Sequence, residues 1–251
     1  MARPASLEAS RWLPSFGWWP HPSDYAVSVI LSTHHATVDP GGEFHVTLRG
    51  YTGSSEPAWE HEVGHMQHGE ERVVPLAELD LPEPPASGGV LEVHTIRLDR
   101  MPKKPVAFVG MWIDAQGTNG GGYLIPTIPI RGAAKALKRD DLQVAPGVMS
   151  SRDVETELLV LNVIEEPVDF RFVAVSAGGL MAEGGSITVS PWSAWHGDLG
   201  DEVPRVRRLL AQDGGVGSLA VYSSHRILPY FGLRRAGQPI TCLDHMAPIF
   251  A

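Results

Sequence analysis

Two stretches of this chain share one order at a fixed spacing. The apolar run Phe44-His45-Val46-Thr47-Leu48 is matched by Phe170-Arg171-Phe172-Val173-Ala174, and Gly88-Gly89-Val90 by Gly214-Gly215-Val216; both pairs are 126 positions apart. In each half an apolar run precedes the Phe segment. The run after the Gly-Gly turn leads towards a histidine and an arginine, His94 and Arg97 in the first half, His225 and Arg226 in the second. Each half closes on an apolar run near a proline, Pro126 and Pro248. Units of this length can each own a core, unlike the short repeats of a solenoid.

The local pattern within each unit is short and alternating. Tyr25–Leu31, Phe44–Leu48, Arg72–Leu76, Val90–Ile96, Val106–Ile113 and Tyr123–Ile128 read as strands in the first half. Glu157–Val163, Phe170–Val175, Ser186–Ser190, Ser218–Ser223 and Pro239–Leu243 do so in the second. The chain holds 27 glycines and 21 prolines, mostly clustered between these runs, which is the punctuation of many strands joined by turns. The expected fold is all-β: two tandem antiparallel β-sandwiches, jelly-roll-like, related by an internal repeat. Residues 1–24 form an aromatic N-terminal arm, 25–130 the first sandwich, 131–154 a linker with a short helix near Ala133–Arg139, and 155–251 the second sandwich. Val203–Gln212 is the one amphipathic helical stretch. Trp18 and Trp19 in the arm either cover a sandwich edge or form an aromatic platform for a sugar or other ring-shaped ligand.

Charge and cysteine content exclude several classes. A net charge of -9 opposes both nucleic acid and anionic lipid surfaces. The lone cysteine, Cys242, excludes an internal disulfide scaffold and a Cys-rich zinc site. The opening MARPASLEASRW has no apolar signal core, and no apolar run is long enough to span a bilayer, so a cytoplasmic, bacterial-style location without membrane insertion is expected.

The stretch Val93-His94-Thr95-Ile96-Arg97-Leu98-Asp99 resembles the V-x-H-T-R-L-D segment of the sensory rhodopsin transducer family, with one residue inserted. The second half resembles the family in order: a strand ending in Leu161-Asn162, a Phe strand, a Gly hairpin, Ile187-Thr188-Val189-Ser190-Pro191, His196, Asp198-Leu199, and the strand Leu219–Tyr222 before His225-Arg226. The resemblance implies a small β-sandwich that assembles as a tetramer, associates with the cytoplasmic face of a microbial rhodopsin, and has a suggested role in binding a ligand such as a sugar. Here the unit is tandem and richer in histidine. A homo-oligomer, a dimer of this chain, would supply four sandwiches.

Three sets of residues could carry function. His61-Glu62-Val63-Gly64-His65 matches HExxH, in which a helix presents two histidines to zinc and the Glu acts as base. Pro57 and Glu60 upstream, and the strand-like Arg72-Val73-Val74 downstream, oppose a helix there, so a zinc peptidase is the weaker alternative. His61, His65 and His68 are otherwise candidate ligands for a divalent metal (Zn, Fe or Cu) on a hairpin, which would make the chain a metal-dependent enzyme. The third set, His94, Arg97, Asp99, His225, Arg226, Asp244 and His245, lies near strand ends and reads either as structural salt bridges or as an anion or polyol site where the two units meet. No nucleophile elbow or phosphate loop is present. The leading expectation is a non-catalytic module for a small molecule or protein partner.

Overall fold

A computed structural model describes residues 15–34, 43–98, 110–118, 120–126, 128–129, 141–151, 153–225, 227–236, 238 and 240–248. The fold is all-β, with four antiparallel sheets. Sheet I has the order β4 (Trp59–Gln67), β3 (Glu43–Tyr51), β6 (Gly89–Arg97), β1 (Ser15–Trp19), β9 (Ile128–Pro129). Sheet II runs β5 (Glu71–Pro75), β2 (Tyr25–Ser32), β7 (Gly110–Gly117), β8 (Gly122–Pro126). Sheet III runs β13 (Met181–Glu183), β12 (Val168–Ser176), β16 (Val216–Ser223), β10 (Asp141–Met149), β19 (Ala247–Pro248), with β14 (Ile187–Val189) also on β12. Sheet IV runs β15 (Ser193–Asp198), β11 (Val154–Asn162), β17 (Leu228–Arg235), β18 (Ile240–His245). Setting β1–β9 against β10–β13 and β15–β19 in sequence makes sheets I and III identical in strand order, and likewise II and IV.

Two expected boundaries shift. The aromatic arm is not peripheral: Ser15–Trp19 is a strand paired along β6, and all five residues are buried. Much of the expected linker is β10, nine residues paired with β16. Its pattern is broken at Pro146-Gly147, where the register shifts and Gly147 takes φ 82°. The helix near Ala133–Arg139 lies outside the described residues, as do 106–109 of one expected strand. The amphipathic stretch forms α2 (Pro204–Ala211), opened by Pro204 and preceded by the one-turn α1 (Leu199–Glu202). Proline suits a first helical turn because its missing N–H would be unpaired there. Val206 and Leu210, one helical turn apart, are the buried face of α2.

Packing between the halves follows from β11. Inside a half-exposed sheet a strand alternates, yet eight of the nine β11 residues are buried. Leu158 and Val160 join the core shared with sheet III. Leu159 and Leu161 point the other way and join the core of the first half, with Ala194, Leu228, Tyr230, Ile240 and Leu243 of the same sheet. Each such aliphatic side chain contributes about 2 kcal/mol on burial. The face of sheet I carrying Phe16 and Tyr51 meets sheet IV through Trp192: its indole stacks on Tyr51 at 4.7 Å and tilts over Phe16 at 6.1 Å. The Trp192 carbonyl accepts the Gly53 N–H at 2.8 Å. Tyr25 of β2 accepts the Ile240 N–H on its hydroxyl at 2.8 Å. Among the described residues no helix is long and apolar enough to cross a membrane.

Candidate functional site

HExxH is not helical. His61 and His65 both lie on β4, and a bulge separates them: Thr47 pairs with Glu62 but Val46 pairs with Gly64, leaving Val63 extra. Gly64, at φ 89°, supplies the backbone conformation the bulge needs. One extra residue inverts the alternation. His61 therefore sits across from the buried Leu48, on the core side of sheet I, whereas His65 sits across from His45 on the opposite side. His68 lies in the turn after β4. The peptidase reading is corrected, since its geometry depends on a helical i, i+4 face. His61, His65 and His68 do not converge, and among the described residues no group of three or more His, Cys, Asp or Glu is placed to hold a metal ion. His65 is instead 3.2 Å from Glu43 and edge-on to His45 at 5.4 Å.

The third set divides between the halves. His94 is on β6, where the Arg49 guanidinium donates to its Nδ1 at 2.9 Å. Next to it Glu92, 2% exposed, accepts the Tyr51 hydroxyl, and Arg49 also bonds Glu60 at 2.9 Å. Burial, with Glu92 beside it, pushes the Tyr51 hydroxyl far above its ordinary value of 10.0. His225 follows β16 and faces Glu166 at 3.7 Å. Asp244 is exposed on β18 across from Phe231, and His245 pairs with Tyr230 in register. Arg97 ends β6 across from Phe44. Asp99 and Arg226 lie outside the described residues.

The halves meet at a charged cleft lined by none of these residues. On the far face of sheet IV, register puts Glu157 beside Asp198, His196 beside Leu159 and Arg234 beside Glu155. The apolar part of this face is covered by the first half; its charged end is left open. There lies a cavity of about 290 Å³ lined by Trp18, Asp24, Tyr25 and Thr118 from one half and by Glu157, His196, Arg234 and Gln238 from the other. The Glu157 side chain is 6% exposed and is held from two sides. His196 Nε2 lies 2.5 Å from one oxygen, and Arg234 pairs with the other. A carboxylate only accepts, so His196 donates this bond through Nε2–H. Arg234 also donates to Asp198 at 2.5 Å. Burial works against the Arg234 charge, but the bonds and charges of Asp198 and Glu157 outweigh it and raise its pKa.

The aromatic wall is rigid. Trp18, 3% exposed, stacks on Tyr123 at 6.2 Å, meets Tyr25 edge-on at 5.9 Å, and tilts against His196 at 5.4 Å. Its Nε1–H donates to the Ser87 carbonyl at 3.1 Å. Trp19 packs against Trp59 at 5.4 Å. Neither indole offers an open face, so both belong to the core and a stacking platform is not available. Burial raises the Tyr25 hydroxyl to about 12.

Glu157 and Arg234 were not singled out by sequence. Glu157 opens an apolar run, and a charge bordering such a run is the available signal, since a carboxylate drawn into a core needs partners. Its partners lie on β15 and β17 and are found only through register.

No family model matches this chain, and no curated protein does. Among solved structures it aligns over 96% of its length with a proposed β-galactosidase from Bacteroides fragilis, at 11% identity and a TM-score of 0.20. The chain spans 32% of that protein, and at such a score the likeness decides nothing.

Proposed function

We propose that this chain is a non-catalytic binding module of the sensory rhodopsin transducer type, holding a small polar ligand in the cleft between its two sandwiches. One observation carries the reading: a carboxylate nine-tenths buried, Glu157, is kept in place by His196 and Arg234 in a cavity lined by both halves. Buried charge is costly unless paired, and replacing such a set by apolar residues is often neutral or stabilising. Its position at a cavity gives it a use beyond holding the fold. The cavity is of small-molecule size. Support for the family type is the placement of its quoted segments: Leu161-Asn162 ends β11, the Phe strand is β12, Ile187–Val189 is β14, and His196 and Asp198 are on β15.

The test blocks the cleft from its rim. Gln238 is exposed and lines the cavity, so Gln238→Trp fills the opening without touching the core. Ligand-detected NMR on a panel of sugars, amines, carboxylates and phosphates is expected to give hits that lose their signal in Gln238→Trp. Hits that bind both proteins equally would overturn the assignment.

A further inference from the structure

Away from the cleft, at one edge of sheet III, a groove of about 450 Å³ runs between β13 and α2. Met181, Ala182 and Glu183 line one side; Arg205, Arg208 and Leu209 line the other. The helix side is a single stripe, since positions 205, 208 and 209 share one face of a helix. Val206 and Leu210 point away from that stripe into the core. Arg207 also points elsewhere and is taken up by Glu155 at 3.1 Å and Asp201 at 3.4 Å. Arg205 and Arg208 are exposed, and among the described residues neither forms an ion pair. Glu183, the one acidic side chain of the lining, is already paired with Arg171. The groove is therefore positive in a chain whose net charge is -9. Acidic residues bracket α2 in sequence, Asp201-Glu202 before it and Asp213 after it, and these repel a long polyanion.

The opposite wall is an edge strand, since β13 ends sheet III. The Phe172 carbonyl accepts the Gly184 N–H and the Leu180 carbonyl accepts the Ser176 N–H, both at 2.8 Å. Bonded positions alternate along an antiparallel ladder, so Ala182 faces β12 while Met181 and Glu183 turn their N–H and C=O groups to the unpaired edge. Such an edge templates a further strand. Met181, 68% exposed, and Leu180, 51% exposed, add an apolar rim. Met181 lies on the opposite face of β13 from Ala182, which packs in the same core as Val206 and Leu210 of α2. An added strand would thus set alternate residues beside Met181 and beside α2.

We propose that this groove docks a short acidic segment of a partner protein, extended along the free edge of β13 with its carboxylates on Arg205 and Arg208 and its apolar residues beside Met181. The proposal is independent of the cleft. The probe is a fluorescein-labelled peptide alternating glutamate and valine, titrated with the full chain at low salt and followed by fluorescence anisotropy. Three controls are run beside it: the glutamine–valine peptide, the lysine–valine peptide, and the acidic peptide N-methylated at every amide. The acidic peptide is expected to bind, the glutamine version about tenfold more weakly, and the other two not at all. Arg205→Ala and Arg208→Ala, both on exposed residues outside the core, are each expected to weaken the acidic peptide about threefold, and the double variant about tenfold. Gln238→Trp, at the distant cleft, is expected to change nothing. Failure of the acidic peptide to bind would overturn the proposal. So would equal binding of the glutamine or N-methylated peptide, or undiminished binding by the double arginine variant.

Discussion

Strands β2 and β11 occupy the same place in their sheets, second from the edge between β5 and β7 in one and between β15 and β17 in the other, yet their burial differs. Along β2 the core side is buried while Ala26, Ser28 and Ile30 are exposed or half-exposed. Along β11 both sides are buried. One strand order therefore serves as an outer wall in the first half and an inner wall in the second. The continuous apolar run Leu158–Leu161 is the mark of that second surface. The halves meet mostly through faces that do not correspond, since Phe16 and Tyr51 of sheet I meet Trp192 beside sheet IV, while the corresponding strands β8 and β18 lie alongside each other. The cleft exists because the cover stops short of the charged end of sheet IV.

The largest effect should separate the two strands directly. Leu161→Ala is expected to cost about 3 kcal/mol, since its side chain is wholly buried between the halves, whereas Ile30→Ala on β2 should cost less than about 1 kcal/mol. Urea midpoints at unchanged slope measure both; equal losses would break the comparison. Next comes the turn that seats β1. Gly88 has φ 81°, and a Cβ there would lie 2.1 Å from Trp18 Nε1, so Gly88→Ala should cost about 2 kcal/mol. Gly120, at φ 90° with open space around it, should cost about half that as Gly120→Ala.

Trp192 sharpens the picture of the junction. It is the non-glycine residue with positive φ among the described residues, at 49°, and it is docked on Tyr51. Trp192→Ala loses the stack and keeps the strained backbone; Trp192→Gly loses the stack and relaxes it. The glycine variant is therefore expected to be the more stable by about 1 kcal/mol, the reverse of the usual loop order. Thermal melts of the two decide it. The smallest and most gradual effect concerns pH. Burial raises Tyr25 to about 12 and also lifts Tyr51, Tyr123 and Tyr230. A raised value means the folded state holds these protons longer than the unfolded chain. Their stabilising contribution is thus complete below pH 10 and is lost as pH rises from 10 towards 12. Tyrosinate absorbance should lag behind free tyrosine until the chain unfolds.

Alternation made most of the sandwich strands legible, and the Gly-Gly turns marked where β6 and β16 begin. What escaped was structure with two covered faces or a broken phase. Ser15–Trp19 has no alternation because β1 is buried throughout, so it read as an arm. Pro146-Gly147 interrupts β10, which made a nine-residue strand look like linker. His61 and His65 carry a spacing shared by a helix face and a strand, and only the extra Val63 shows that they part. The cleft was hidden for a different reason. Glu157, Asp198 and Arg234 lie far apart in sequence and are joined by cross-strand register; Trp18 alone among its walls drew notice as a possible ligand contact.

The account depends on the far face of sheet IV being sealed by the first half, so that two sandwiches fold as one body. Differential scanning calorimetry of the intact chain tests this most directly. One transition is expected, with calorimetric and van't Hoff enthalpies equal. Two resolved transitions, each with the enthalpy of a half, would contradict it.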